Sequence, residues 1–261
     1  MIIHGRIYQD IIPVEEIELS EDISEFNSVF KYNLGGIANI INTVEDSKLI
    51  IYGEIKSFDK IKNEFKLVEH YDTHDVKAII LKTKIKKSRL SIIETKEIID
   101  ENLNNYNLVS PIEVLMYLES IPRLFQPKKN ENILISVYNG GRNLINEKIF
   151  LSNLKNSTIL IASKDSYNSL IKNKNFIDKI NNKIPIVILH SPKSYEIKCL
   201  NNERFVENAF YDKSKKSHFV GLGDKFSTIF CESLSKEKIY DINHLEDCIN
   251  YAAKRVCEYV R

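Results

Sequence analysis

Between residues 107 and 190 the apolar positions alternate between two rhythms. Short, almost unbroken apolar runs, "NILISVYN", "STILIAS" and "IPIVILH", read as strands buried on both faces. Between them, "EKIFLSNLKN" and "DSYNSLIKNKNFIDKINN" carry apolar residues three and four apart, the spacing of helices that cover a sheet. "SPIEVLMYLESIPRLF" has the same spacing and is also predicted as a helix. Strand and helix in alternation predict a mostly parallel sheet covered on both faces.

The flanks read differently. "MIIHGRIYQDIIP" is apolar and β-branched, hence a strand. "NSVFKYNLGGIANIINTVED" passes from extended chain through Gly35 and Gly36 into a helix from about Ile37 to Val44. "KLIIYGEI" is a short buried strand, and "DVKAIILKTKIKKSRLSIIETKE" is two strands with a turn near Lys86–Ser88. Lys82, Lys84 and Lys86 alternate along one side of the first of these. Lysines so placed protect a sheet edge; a phosphate or nucleic-acid face is the competing reading. "YEIKCL" and "NERFVENAFY" read as short antiparallel strands. Two helices close the chain, one striped by Phe226, Ile229, Phe230 and Leu234, the other by Leu245, Cys248, Ile249, Ala252, Ala253, Val256 and Val260.

Composition narrows the function. The chain has 261 residues, enough for one large α/β domain, and is 43% hydrophobic and 28% charged. Its formal net charge is +1, with 37 basic against 36 acidic residues, which offers no electrostatic footprint for nucleic acid. No apolar run is long enough to span a membrane, and the N-terminus lacks the pattern of a signal peptide. The cysteines, Cys199, Cys231, Cys248 and Cys257, form no CxxC pair and read as free thiols in a reducing cytoplasm.

One stretch carries chemistry. "HFVGLGDKFSTIF" places Asp224 directly after Gly221, Leu222 and Gly223, where a helix begins. Glycines permit unusual backbone angles, and the first N–H groups of a helix attract anions. The aspartate then has two readings. It is an N-cap for the helix, or it is a general base beside a cradle for a phosphoryl group in transfer.

The order "HGRIYQD", "NLGGIAN" and "GLGDKF" resembles the PfkB carbohydrate kinase family across essentially the whole chain. The late Gly-x-Gly-Asp followed by an aromatic residue is its most specific part. The resemblance implies a single domain over residues 1–261: a ribokinase-like three-layer α/β sandwich with a mostly parallel central sheet and a small β-sheet lid. The lid would come from segments near 6–14, 28–33 and 76–94. It implies ATP-dependent phosphorylation of a hydroxyl on a sugar or sugar-like molecule, with ATP and Mg2+ as cofactors and a place for a monovalent cation. Asp224 would be the catalytic base, and Gly221, Leu222 and Gly223 the anion hole. Asp10, Gly35, Gly36 and Asn39 would hold the substrate, and Arg142 in "YNGGRNLI" matches a position where some members carry arginine. Ser191 and Ser194, with Gly221 and Gly223, would border the nucleotide. Asp165 would stand on the metal side. A cytoplasmic homodimer paired through the lid is part of the same expectation. A nucleoside kinase of this fold, or a non-catalytic sugar-binding protein that kept it, are the alternatives.

The sequence also departs from the family. Two residues, Ile37 and Ala38, separate the double glycine from Asn39 where the family has three. The family's Asn-x-x-Glu falls near "IASKDSYNSL" and is not preserved, and "LHSPKSY" lacks both glycines of the family's Thr-x-Gly-x-x-Gly. Other constellations are weaker. His70 and His74 have a ligand-like spacing in what reads as a loop, without an evident third ligand. His190, after an apolar strand, and His218, before the glycine turn, read first as structural histidines.

Overall fold

One long strand, Ile2–Pro13 (β1), runs through two sheets. Its first half, Ile2 to Arg6, pairs in parallel with Lys48–Gly53 (β3) on one side and, over Ile2 to His4, with Ile112–Met116 (β7) on the other. Its second half, Ile7 to Pro13, pairs antiparallel with Phe30–Gly36 (β2) and, at Gln9 to Ile11, in parallel with Val76–Lys82 (β5). Lys87–Ile93 (β6) pairs antiparallel with β5. The computed structural model describes residues 1–13, 30–43, 47–53, 68–72, 76–82, 87–93, 112–116, 133–138, 147–170, 174–199, 202–212, 221–234 and 241–259.

The main sheet continues outward from β1. Beyond β3 lies Val68–Asp72 (β4). Beyond β7 come Ile133–Tyr138 (β8), Ile159–Ser163 (β9) and Ile186–His190 (β10), all parallel. Ser194–Cys199 (β11) and Asn202–Glu207 (β12) then complete that side as antiparallel strands. The strand order is β12-β11-β10-β9-β8-β7-β1-β3-β4. Glu147–Asn153 (α1), Lys164–Leu170 (α2) and Lys174–Asn181 (α3) follow in the strand–helix alternation, and Leu222–Leu234 (α4) and Ile242–Glu258 (α5) close the chain.

Alternation along the buried strands sends successive side chains to opposite faces. Ile135, Val137, Ile159, Ile161 and Ile188 share one core with Phe230, Leu234, Ile249 and Ala252 of α4 and α5. Leu134, Tyr138, Leu160, Ala162, Val187 and Leu189 share the other with Phe150, Tyr167, Phe176 and Ile180 of α1 to α3. These two cores make three layers of helix, sheet and helix. α5 starts where Asp241 caps it, its Oδ1 accepting from His244 N at 2.7 Å.

One predicted helix is a strand. In "SPIEVLMYLESIPRLF", Ile112–Met116 is β7, between β1 and β8. Ile112, Val114 and Met116 are buried in the α4–α5 core, which is a period of two. Over five residues the two spacings overlap in sequence, and parallel partners on both edges decide for the strand. The "DSYNSLIKNKNFIDKINN" segment is covered by two helices, α2 and α3, and residues 37–43 form a 3-10 helix. The turn expected near Lys86–Ser88 gives way to β6 from Lys87 onward, with 83–86 outside the described residues.

If α4 is packed as described, Phe230→Ala should cost about 3–5 kcal/mol, because a ring with no exposure leaves a cavity between helix and sheet. Tyr251→Ala, at 47% exposure on α5, should change stability by no more than about 0.5 kcal/mol. Urea unfolding of both variants checks the contrast, and similar costs at the two sites would mean the buried face of these helices is assigned wrongly.

Candidate active site

Two glycines let distant segments meet. Gly36, at the end of β2, has φ of +68° and turns the chain into the Ile37–Thr43 3-10 helix. That helix lies against β1 and α4. A Cβ on Gly5 of β1 would stand 3.0 Å from Ile37 Cδ1. Gly221 has φ of +88°, and a Cβ there would stand 2.6 Å from Asn39 Cγ, closer than real atoms approach. The absence of a side chain at Gly221 is thus what admits Asn39.

Asn39 uses that approach. Its Nδ2 donates to Asp224 Oδ2 at 3.1 Å, across 185 positions of sequence. Asp224 is buried, with 6% exposure. It is not the cap of α4: Lys225 N bonds Gly221 O at 3.0 Å, so Gly221 takes the cap position and Asp224 lies inside the first turn. The amide donor from elsewhere in the chain fixes the direction of a carboxylate that stands in the first turn of the helix.

Beside this turn lies a cleft of about 570 Å3, within the range of small-molecule sites. It opens at the ends of β9 and β10, where Ser163 and His190 stand, and runs along the start of α4 to the end of α5. Tyr195 and Phe226 form a stacked pair in its wall, with centroids 4.9 Å apart and planes 17° apart, and the His190 ring is 5.1 Å from Phe226. Burial pushes the His190 pKa down to about 4, so the ring is neutral at pH 7. Phe210 and Tyr211 border the far end with 39% and 36% exposure.

The residues expected from sequence fall into three groups. Gly221, Leu222, Gly223, Asp224 and Asn39 come together, with Leu222 and Gly223 also bordering the cleft. Ser191 borders it too, while Ser194 is buried behind, its Oγ accepting from Lys164 Nζ at 2.8 Å. Asp165 is exposed at the cleft's edge in the first turn of α2. Asp10 belongs to the outer half of β1, opposite Asn33 of β2 and Ala78 of β5, and Gly35 and Gly36 end β2 opposite Tyr8 and Ile7. Arg142, His74 and His218 lie outside the described residues, and His70 is part of β4 rather than a loop.

Other cleft residues carried no clear signal. Phe226 reads as core because the stripe of its helix faces inward. Only the folded chain reveals that this inward face also borders a cleft. Lys164, held by Ser194 and by an ion pair to Glu196 at 2.8 Å, was masked by the helix pattern around it. Cys257, part-exposed at the end of α5, also borders the cleft, whereas Cys231 and Cys248 are buried as expected.

No protein-family model matches the chain, and no curated protein matches it. Solved structures do. An uncharacterized sugar kinase from Pyrococcus horikoshii, in complex with ATP, matches over 99% of this chain and 91% of its own, with a TM-score of 0.70 at 16% identity. Thermotoga maritima ribokinase matches over 99% and 92%, with a TM-score of 0.65 at 16% identity. A Burkholderia thailandensis nucleoside kinase, in complex with inosine, matches over 98% and 90%, with a TM-score of 0.64 at 13% identity. The chain therefore has the ribokinase-like α/β fold, as the order of its motifs implied.

Two measurements check this geometry. Gly221→Ala forces a Cβ into Asn39 at a positive φ, so it should cost about 1–3 kcal/mol. Unchanged unfolding would mean the approach is looser than described. For His190, the folded pKa of about 4 lies below the ordinary 6.5, so the unfolded chain binds the proton more readily. Its contribution is fully present above pH 6.5 and is lost as pH falls toward 4. Between pH 7.5 and 5 this should remove about 2 kcal/mol of stability, a loss that His190→Gln should not show. Equal pH dependence in both proteins would contradict a buried neutral ring.

Proposed function

We propose that this protein is a kinase of the ribokinase type, transferring the γ-phosphoryl group of ATP to a hydroxyl on a sugar or nucleoside. The observation that carries the reading is Asp224: a buried carboxylate in the first turn of α4, close to a positive-φ glycine and directly after Leu222 and Gly223, which border a cleft of about 570 Å3. ATP in the complex of the Pyrococcus protein supports the same reading for this fold.

In this mechanism the substrate hydroxyl gives its proton to Asp224 while its oxygen attacks the γ-phosphorus. The bond from that phosphorus to the bridging oxygen breaks, and ADP leaves with the electron pair. The N–H groups at the start of α4 meet the negative charge on the phosphoryl oxygens. The Tyr195–Phe226 wall and Phe210 offer the apolar surface a nucleobase needs. Asp10, Gly35 and Gly36 hold the acceptor from the second sheet, β2-β1-β5-β6, which serves as a lid that excludes water.

Magnesium would arrive with ATP, and the cleft offers carboxylates to meet it. Among the described residues no three His, Cys, Asp or Glu side chains converge to hold a metal. Asp165 and Asp212 both border the cleft, and magnesium carried by phosphates takes one or two such carboxylates.

Purified protein with ATP and magnesium, offered sugars, sugar acids and nucleosides, should turn over one of these classes. Asp224→Asn should lower kcat by roughly 1,000-fold or more with substrate binding retained. Full activity in that variant would remove Asp224 as the base, and no turnover on any class would remove the kinase reading.

A further inference from the structure

The resemblance implies that Asn39 touches a substrate hydroxyl; in the structure its Nδ2 donates to Asp224 Oδ2. Three observations converge on a different role. First, the contact is close by construction: Gly221 has no Cβ, and one placed there would meet Asn39 Cγ, Cβ and Nδ2 within 2.8 Å. Second, the backbone that carries Asn39 is itself held. Ile37 and Ile40 have no exposure, Ile37 lies against Gly5, and Thr43 Oγ1 donates to Ile40 O at 2.6 Å. Third, the acceptor is a carboxylate on a long, well-buried helix, whose own backbone is tied by Thr228 Oγ1 donating to Asp224 O at 2.8 Å.

We infer that Asn39 is a positioning residue for Asp224, holding one carboxylate oxygen so that the base keeps a single orientation toward the acceptor. This rests on the kinase reading and deepens it. A carboxylate has two oxygens and a torsion that is broad and soft. A donor fixed to a rigid element removes that freedom, and proton abstraction depends on geometry held to fractions of an ångström. The short spacing in "GGIAN", with two residues between Gly36 and Asn39, is part of the 3-10 helix that aims the amide. Because the same helix follows directly from β2, the orientation of the base is also linked to the sheet proposed to close on the substrate.

The test uses two variants of the full chain. Asn39→Leu keeps the branched shape beside Gly221 and removes the donor; Asn39→Ala removes both. Thermal unfolding confirms that each is folded. Both should lose roughly 10- to 100-fold in kcat, with KM for ATP and acceptor within about threefold, because substrate contacts are intact and only the base is misdirected. In a second arm, a carbodiimide with an amine labels carboxylates, and mass spectrometry reads Asp224. Labelling should be faster in Asn39→Ala than in the unaltered protein. A kcat within twofold of the unaltered enzyme, a loss carried entirely by acceptor KM, or unchanged labelling of Asp224 would each overturn the inference. If the unaltered protein has no turnover, the kinase reading fails by itself, and the labelling arm still decides whether Asn39 holds this carboxylate.

Discussion

The approach of Asn39 to Gly221 joins parts of the molecule that are far apart in sequence. The 3-10 helix can reach the start of α4 only because Gly221 has no side chain, and it lies against β1 because Gly5 has none where Ile37 packs. A side chain at Gly221 would stand within 2.8 Å of Asn39, the donor to Asp224. The cleft depends on the same place, since Leu222, Gly223 and Phe226 at the start of α4 form part of its wall. Fold and site therefore share a constraint: an apolar core on one side of α4, and at its first turn a buried carboxylate kept polar company by an amide.

β1 gives this arrangement its reach. Its first half is locked between β3 and β7 in the main sheet. Its second half carries Asp10 into the β2-β1-β5-β6 sheet without any break in the strand. A long strand is stiff, so the two sheets are connected by extended backbone rather than by a loop. Among the described residues no helix is long and apolar enough to cross a membrane, in keeping with helices whose apolar stripes are spent on the two cores.

Much of this was legible in the sequence because the relevant signals are local. Buried parallel strands such as "ILIAS" and "IVILH" announce themselves by unbroken apolar runs, and the closing helices by their stripes. Glycine followed by aspartate at a helix start is also local, and it led to Asp224. Ile112–Met116 misled because five residues satisfy both periods, and the partners that decide between them come from β1 and β8. The hydrogen bond from Asn39 to Asp224 spans 185 positions, so no window along the chain contains it. Phe226 reads as core for a sound reason, since it is buried; that it also walls a cleft depends on where α5 ends.

The central claim is that the cleft beside Asp224 receives a nucleotide. Thermal unfolding of the full chain with magnesium, with and without ATP, tests it directly and does not require the acceptor to be known. The expected result is a midpoint that rises with the logarithm of ATP concentration once the site begins to fill. A midpoint unmoved at about 10 mM ATP would contradict a nucleotide site in this cleft, and would leave the protein with the shape of a kinase but without its donor substrate.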